Sequence, residues 1–164
     1  MVNFVSLELA KLLKEKGFDN PVLSYYDNYY DSGRFCLNYS IVNQYAQEYI
    51  EDKGDCLIIP YTSGEGSLDL ETINFNGWGV NNYSAPTIAE VLMWLYEKHK
   101  IWIVVNMDII GRWYYDTYLI KDGIPNHNTY KKIERFKSPT EAYEVAIKYV
   151  LNNLIERLKN GNNS

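Results

Sequence analysis

The side chains best suited to acid–base chemistry are the two histidines, His99 and His127. An imidazole titrates near neutral pH, so either one, with a nearby carboxylate, could act as the general base of a small hydrolase. His99, however, falls at the end of a predicted helix, where the helix dipole favours an imidazolium. His127 lies in the polar segment Pro125-Asn126-His127-Asn128. Helix capping and simple exposure therefore account for both residues without an active site.

Other catalytic and cofactor-binding patterns are missing from the sequence. There is no Gly-x-Ser-x-Gly motif for a serine nucleophile. The Gly-rich segment 62–67 lacks the lysine and the following helix of a phosphate-binding loop, and instead indicates a hairpin tip. No His-x-x-x-His motif or Cys/His cluster occurs, so we expect no metal and no cofactor. Cys36 and Cys56 have no CxxC spacing and are typical of small buried residues in a reducing cytoplasm.

Aromatic residues are the most unusual component of the chain, at 15% of 164 residues, with sixteen Tyr, five Phe and four Trp. Two predicted strands have rings on both faces, the first with Tyr25-Tyr26 and Tyr29-Tyr30 and the second with Trp113-Tyr114-Tyr115 and Tyr118. A strand that is buried on one face does not need tyrosine on both. We therefore expect some rings to face solvent, a groove or a partner.

Four of these aromatic residues are the predicted binding residues: Tyr26, Tyr30, Trp113 and Tyr115. Tyr and Trp combine a large contact area with a polar tip, which is why binding surfaces favour them. The abundance of tyrosine also has two origins that need no binding function. Tyrosine is favoured in strands whatever its role. AT-rich codon usage would enrich the chain in Tyr, Asn, Ile and Lys together.

The charge and hydropathy of the chain exclude two classes of partner. The net charge of −5 and the isoelectric point near 5.1 disfavour binding to nucleic acids, which requires clustered Lys and Arg. The densest basic segment, residues 131–137, is interrupted by Glu134. No apolar run reaches the roughly 18 residues of a membrane span, and no secretory signal is visible at the N-terminus. We expect a cytoplasmic protein with no membrane partner.

The predicted elements alternate between helices and strands. Apolar periodicity and capping residues predict helices over 7–16, 41–52, 87–98 and 139–158. Strand patterns fall at 22–30, 34–39, 56–61, 68–75, 101–107, 112–120 and 130–136. The turn Lys121-Asp122-Gly123 separates the last two strands. The pattern predicts an α+β fold in which antiparallel β hairpins or a meander have helices packed on one face.

The domain organisation predicted is a single domain over residues 1–164. Residues 9–16 and 91–98 share an amphipathic pattern, and each segment precedes a strand-rich stretch. This leaves open an arrangement of two helix-plus-hairpin units, with subunits at 1–76 and 83–160.

Three segments of the chain resemble one group of known proteins. The segments are the opening residues 4–18, the stretch 84–95 followed by Ile101-Trp102-Ile103, and the closing stretch 140–151. They are similar to small uncharacterised proteins of gut Bacteroidales and of their phages and prophages, whereas residues 40–82 depart from that group. The resemblance implies a phage or mobile-element accessory protein, without an assigned activity and without catalytic residues to transfer.

The sequence favours a non-enzymatic binding module that uses an aromatic strand surface. Its partner is expected to be a host protein or a small-molecule ligand. A small hydrolase that uses His99 or His127 is one alternative. A self-associating structural protein is the other.

Overall fold

The computed structural model describes residues 4–28, 35–39, 47–52, 55–60, 72–127 and 135–155. Its elements in chain order are α1 (Leu7–Glu15), β1 (Ser24–Asn28), β2 (Phe35–Tyr39), β3 (Gln47–Asp52), β4 (Asp55–Pro60), a 3₁₀ turn (Phe75–Gly77), β5 (Tyr83–Ser84), α2 (Ile88–His99), β6 (Ile101–Met107), β7 (Trp113–Lys121), β8 (Ile124–His127), α3 (Pro139–Tyr149) and a π-helical turn (Val150–Leu154). The fold is α+β, as predicted. The chain divides into two compact units, the first Phe4–Pro86 and the second from Thr87 onward.

The first unit contains α1 and a five-stranded sheet in the order β3-β4-β2-β1-β5. Ser6 caps α1 by accepting the Leu9 N–H, and the helix ends just before Gly17, whose φ of +84° is easily adopted by glycine. Leu9 and Leu13 of α1 are fully buried. Neighbouring strands are antiparallel except β2 and β4, which run parallel. The antiparallel pairing of β1 with β2 is as predicted, whereas the β3–β4 pair and the parallel β2–β4 pair are not predicted.

A lysine joins α1 to the loop before β5 in the first unit. Lys14 Nζ donates to the carbonyl oxygens of Gly79, Val80 (3.4 Å) and Asn82 (2.9 Å). The ammonium also lies 5.1 Å from the centroid of the Tyr83 ring, at cation–π distance. Desolvation by burial lowers the pKa of Lys14. Three carbonyl dipoles thus hold one positive charge at the end of the helix.

The second unit packs α2 and α3 on one face of the antiparallel meander β6-β7-β8. A capping box between Thr87 and Glu90 begins α2, and Lys100 in the left-handed region ends it (φ 57°). Ser138 caps α3 by accepting the Glu141 N–H, with Pro139 at the first helical position. These helix starts are where the sequence predicts them, and the helices do pack on one face of the sheet.

One predicted helix is wrong where the structure describes it. Residues 47–52 of the expected helix 41–52 form strand β3, and residues 41–46 lie outside the described residues. Only two residues separate β3 from β4, so the chain reverses there as a hairpin with six register pairs. The pairing with β4 overrides the helical spacing of Tyr49 and Ile50. Gly54, expected to end a helix, falls between the two strands in the sequence.

The last strand of the meander also differs from the prediction. Asp122 (φ 52°) and Gly123 (φ 76°) reverse the chain at once, so Ile124–His127 pairs with β7 as β8. The expected strand 130–136 is described only at its end, where Phe136 forms an isolated bridge with Trp113. Residues 130–134 lie outside the described residues.

The expected strand 68–75 is also wrong at its end. Ile73 forms an isolated bridge with Val22, and Phe75 begins a 3₁₀ turn. The Asn74 side chain accepts the Asn76 N–H, which favours a turn over an extended chain. Residues 68–71 lie outside the described residues. None of the helices in the described ranges is long and apolar enough to cross a membrane.

Candidate functional site

The sheet of the second unit has a helix-facing side and an outer side. Ile101 and Ile103 of β6 are 1% and 2% exposed, whereas Trp102 between them is 38% exposed. Successive side chains of a strand point to opposite faces, so the even-numbered residues of β6 lie on the outer side. The register pairs Trp102 with Tyr118 and Val104 with Asp116 of β7. The outer side of the sheet is therefore defined by these two strands and by His127 of β8, the register partner of Tyr118.

Three rings belong to this outer side, and a fourth, Tyr96 of α2, contacts the first of them. Tyr96, at 40% exposure, packs edge-on against Trp102 with the ring centroids 5.8 Å apart. Tyr118 lies opposite Trp102 in the register, and its ring centroid is 5.1 Å from that of His127. We call Tyr96, Trp102, Tyr118 and His127 the aromatic row. From β6 to β8 it spans about 10 Å, or two strand spacings.

The imidazole of His127, a member of the aromatic row, forms a polar pair with a neighbouring carboxylate. Asp116 Oδ1 lies 3.0 Å from His127 Nε2, and the two side chains are 30% and 43% exposed. The pair offers an acceptor oxygen and, in the ring, a nitrogen that donates or accepts according to its tautomer. Ring faces next to exposed hydrogen-bonding groups can stack on a ligand and fix its orientation at the same time.

A second charged pair lies at the β6–β7 turn of the same sheet. Arg135 Nε donates to Asp108 Oδ2 at 2.8 Å, and the Arg135 guanidinium lies 5.1 Å from the centroid of the Tyr114 ring. The backbone N–H of Arg112 holds the pKa of Asp108 below its ordinary value, with further contributions from the Ile110 N–H and the charge of Arg135. These contacts hold the β6–β7 turn against Arg135, which shortly precedes α3 in the chain.

The predicted binding residues that the structure describes lie elsewhere. Trp113 and Tyr115 share the face of the sheet opposite to the aromatic row, where Tyr115 packs near Phe136, with ring centroids 6.0 Å apart. In the first unit, Tyr26 is half-buried, and its hydroxyl donates to the Val5 carbonyl oxygen at 2.9 Å. Tyr30 lies outside the described residues. The structure brings together only Trp113 and Tyr115 among the described members of that set.

The two candidate histidines have different surroundings. His99 is the last residue of α2 and packs edge-on against the Trp94 ring, with centroids 4.8 Å apart. Its position at the helix end agrees with the capping interpretation. His127 is exposed, as its polar segment indicates, and makes the contact with Asp116 described above. Only His127 is therefore both exposed and in contact with a carboxylate.

Sequence reasoning missed three members of the aromatic row as site residues, although signals for two of them, Trp102 and Tyr118, were present. The alternation in residues 101–107 separates Trp102 from Ile101 and Ile103, which predicts an exposed tryptophan. Tyr118 is two positions from Asp116 along β7, so the two side chains share one face of the sheet. Tyr96 could not have been assigned, because its contact with Trp102 depends on how α2 packs against the sheet.

The described part of the chain has no group of three or more His, Cys, Asp and Glu side chains that could hold a metal ion. Comparison of the chain with protein-family models, with curated proteins and with solved structures finds no match.

Proposed function

We propose that the protein is an accessory binding module of a phage or mobile element, and that its ligand binds on the aromatic row. One observation supports the choice of surface: Trp102, the second residue of β6, is 38% exposed between Ile101 and Ile103, which are buried. Exposure of an indole to water costs free energy that a binding partner recovers, and large rings dominate the energetics of binding surfaces. The origin of the protein rests on the sequence resemblance alone.

The chemistry of the surface favours an uncharged ligand built from rings with hydroxyl groups, such as a sugar chain. The exposed rings of the row offer apolar surface on which the apolar face of a pyranose can stack. Asp116 beside the row and His127 within it supply the acceptor and donor that hydroxyl groups require. A polyanion is disfavoured both by Asp116 and by the net charge of −5.

The test is a titration of the full-length protein with a panel of soluble oligosaccharides, in which binding is measured by tryptophan fluorescence and by calorimetry. We expect Trp102→Ala and Tyr118→Ala to weaken binding about tenfold or more, the cost of losing a central ring contact. Trp113→Ala and Tyr115→Ala test the opposite face of the sheet, and Tyr30→Ala tests the residue outside the described ranges. If these variants lost binding while Trp102→Ala retained it, the aromatic row would be the wrong surface.

A hydrolase remains the second candidate because of one contact, the 3.0 Å pair between His127 Nε2 and Asp116. A carboxylate that orients an imidazole is the arrangement of a general base. His127→Ala and Asp116→Asn would then abolish hydrolysis of activated esters or glycosides, while His99→Ala would not. Wild-type protein without measurable turnover on such substrates, but with saturable sugar binding, would reject the hydrolase in favour of the binding module.

A further inference from the structure

The turn between β6 and β7 presents an unusual apolar tip. Ile109 is fully exposed (104%), Ile110 is 67% exposed and Met107, at the end of β6, is 57% exposed. Single exposed apolar residues are common on protein surfaces, but three within four positions form a patch. We call Met107, Ile109 and Ile110 the apolar tip.

The apolar tip is held rigidly by its own backbone. Asp108 Oδ1 accepts the N–H groups of Ile110 (3.1 Å) and Arg112 (2.9 Å), and the Asp108 N–H donates to the Arg112 carbonyl oxygen at 2.8 Å. Gly111 takes the left-handed conformation that closes the turn (φ 77°). Because the turn is already ordered, little conformational entropy is lost when the two isoleucines enter a pocket.

A groove between the first turns of α2 and α3 is uncharged and large enough to receive the side chains of the apolar tip. It has a volume of about 360 Å³ and is lined by Ala89 and Leu92 of α2 and by Pro139, Thr140 and Tyr143 of α3, together with the first residues of α2. None of the residues that line it is charged. This volume is within the range of sites that bind small apolar groups, so it can accept the isoleucine side chains of the tip.

The topology of the second unit brings the apolar tip and the groove to the same end of the unit. Lys100 alone links α2 to β6, so α2 runs back along the sheet and its first turn lies at the β6–β7 turn end. Phe136 bridges Trp113, the first residue of β7, and α3 begins three residues later at Pro139. Both helix starts that form the groove therefore lie at the end where the tip projects.

We propose that two copies of the chain associate through a two-fold axis at this end, each inserting its apolar tip into the groove of the other. A surface that contains both a projection and its complement can pair with itself and close, and two-fold dimers are the commonest assemblies. Arg112, exposed beside the tip, and Glu141, exposed beside the groove, have opposite charges and would face each other across this interface. This inference does not depend on the proposed sugar-binding function.

The association is tested by sedimentation velocity of the full-length protein from about 1 to 500 µM, because so small an interface implies weak binding. We expect a concentration-dependent dimer whose dissociation constant rises about tenfold or more in Ile109→Asp and in Ile110→Asp. Ala89→Trp, at an exposed position in the groove wall, should do the same by filling the groove. Ile124→Asp is the matched control, since Ile124 is 64% exposed but belongs to the β7–β8 turn region.

A mixing experiment tests whether the tip of one copy enters the groove of the other. Ile109→Asp keeps a normal groove and Ala89→Trp keeps a normal tip, so a mixed pair retains one of the two contacts. The mixture should therefore form more dimer than either variant alone. A wild-type protein that stays monomeric over the whole range, a control that dissociates like Ile109→Asp, or a mixture no more associated than its components would overturn the proposal. Circular dichroism of each variant confirms that it is folded.

Discussion

Arg135 and Asp108 form a 2.8 Å ion pair that ties the β6–β7 turn to the residues leading into α3. The same carboxylate accepts two backbone N–H groups of the turn. One side chain thus organises both the apolar tip and the start of the segment that positions α3. Its charge state should therefore affect the stability of the second unit.

The pH dependence of that contribution follows from the lowered pKa of Asp108. An unfolded aspartate has a pKa of about 3.9, so the ionised group stabilises the folded state above that value, and the stabilisation is lost as the pH falls through the lower folded pKa. We expect Asp108→Asn to lower the urea midpoint at neutral pH and to have less effect at roughly pH 3, where part of the stabilisation is already lost. Urea titrations over this range check it. An equal loss at both pH values would contradict the ionic role.

Gly111 provides a test of backbone strain in the same turn. Its φ of +77° lies in the left-handed region, and an added Cβ would contact nothing within 4 Å. We expect Gly111→Ala to destabilise the protein by about 1–2 kcal/mol from backbone conformation alone. Gly77→Ala is the control: its Cβ also meets open space, but its φ is not positive. Urea denaturation should show a change within about 0.5 kcal/mol for the control.

The start of α3 depends on the side chain of Ser138. Its hydroxyl accepts the Glu141 N–H at 3.1 Å. Ser138→Ala should cost about 1 kcal/mol of unfolding free energy because this N–H loses its acceptor. Ser138→Asp retains an acceptor and adds a favourable charge at the helix start, so it should remain close to the wild type. Thermal denaturation of the two variants distinguishes loss of the cap from a general effect of substitution.

In the first unit, the ring of Phe75 contacts the rings of Tyr25 and Trp78. It is 1% exposed and stacks on Tyr25 with the ring centroids 4.1 Å apart. Phe75→Ala should lower the unfolding free energy by about 3–5 kcal/mol, through lost burial and the cavity left behind. Trp78, with its ring centroid 5.0 Å from that of Phe75 but 60% exposed, is the comparison. Trp78→Ala should cost about 1 kcal/mol, and equal losses would contradict the difference in burial.

Helix starts can be predicted from the sequence because they depend on residues that are close together in the chain. Ser6, the Thr87–Glu90 box and Ser138-Pro139 mark helix starts because each satisfies backbone N–H groups within its own first turn. Strand β6 has the limits that the sequence predicts, because Ile101, Ile103, Val105 and Met107 recur at every second position.

Elements that depend on distant pairing could not be predicted in this way. Tyr49 and Ile50 fit a helical stripe, yet their strand pairs with β4, and the parallel pairing of β2 with β4 has no local signal. The candidate site shows the same limit. Alternation identifies Trp102 as exposed, but its alignment with Tyr118 and His127 comes from the registers of two strand pairs. The amino-acid composition draws attention to tyrosine as a binding residue, whereas the aromatic row also contains a tryptophan and a histidine.

The contact between Lys14 and the loop before β5 has a consequence for folding kinetics. Lys14 precedes its three carbonyl acceptors by 65 to 68 residues, so the contact requires closure of a long loop, and we expect it to form after the transition state. Contacts that form after the transition state slow unfolding and leave the folding rate unchanged. In stopped-flow experiments, Lys14→Met should therefore unfold faster than the wild type and refold at the same rate. The ammonium then determines how long the first unit stays folded, not how quickly it forms.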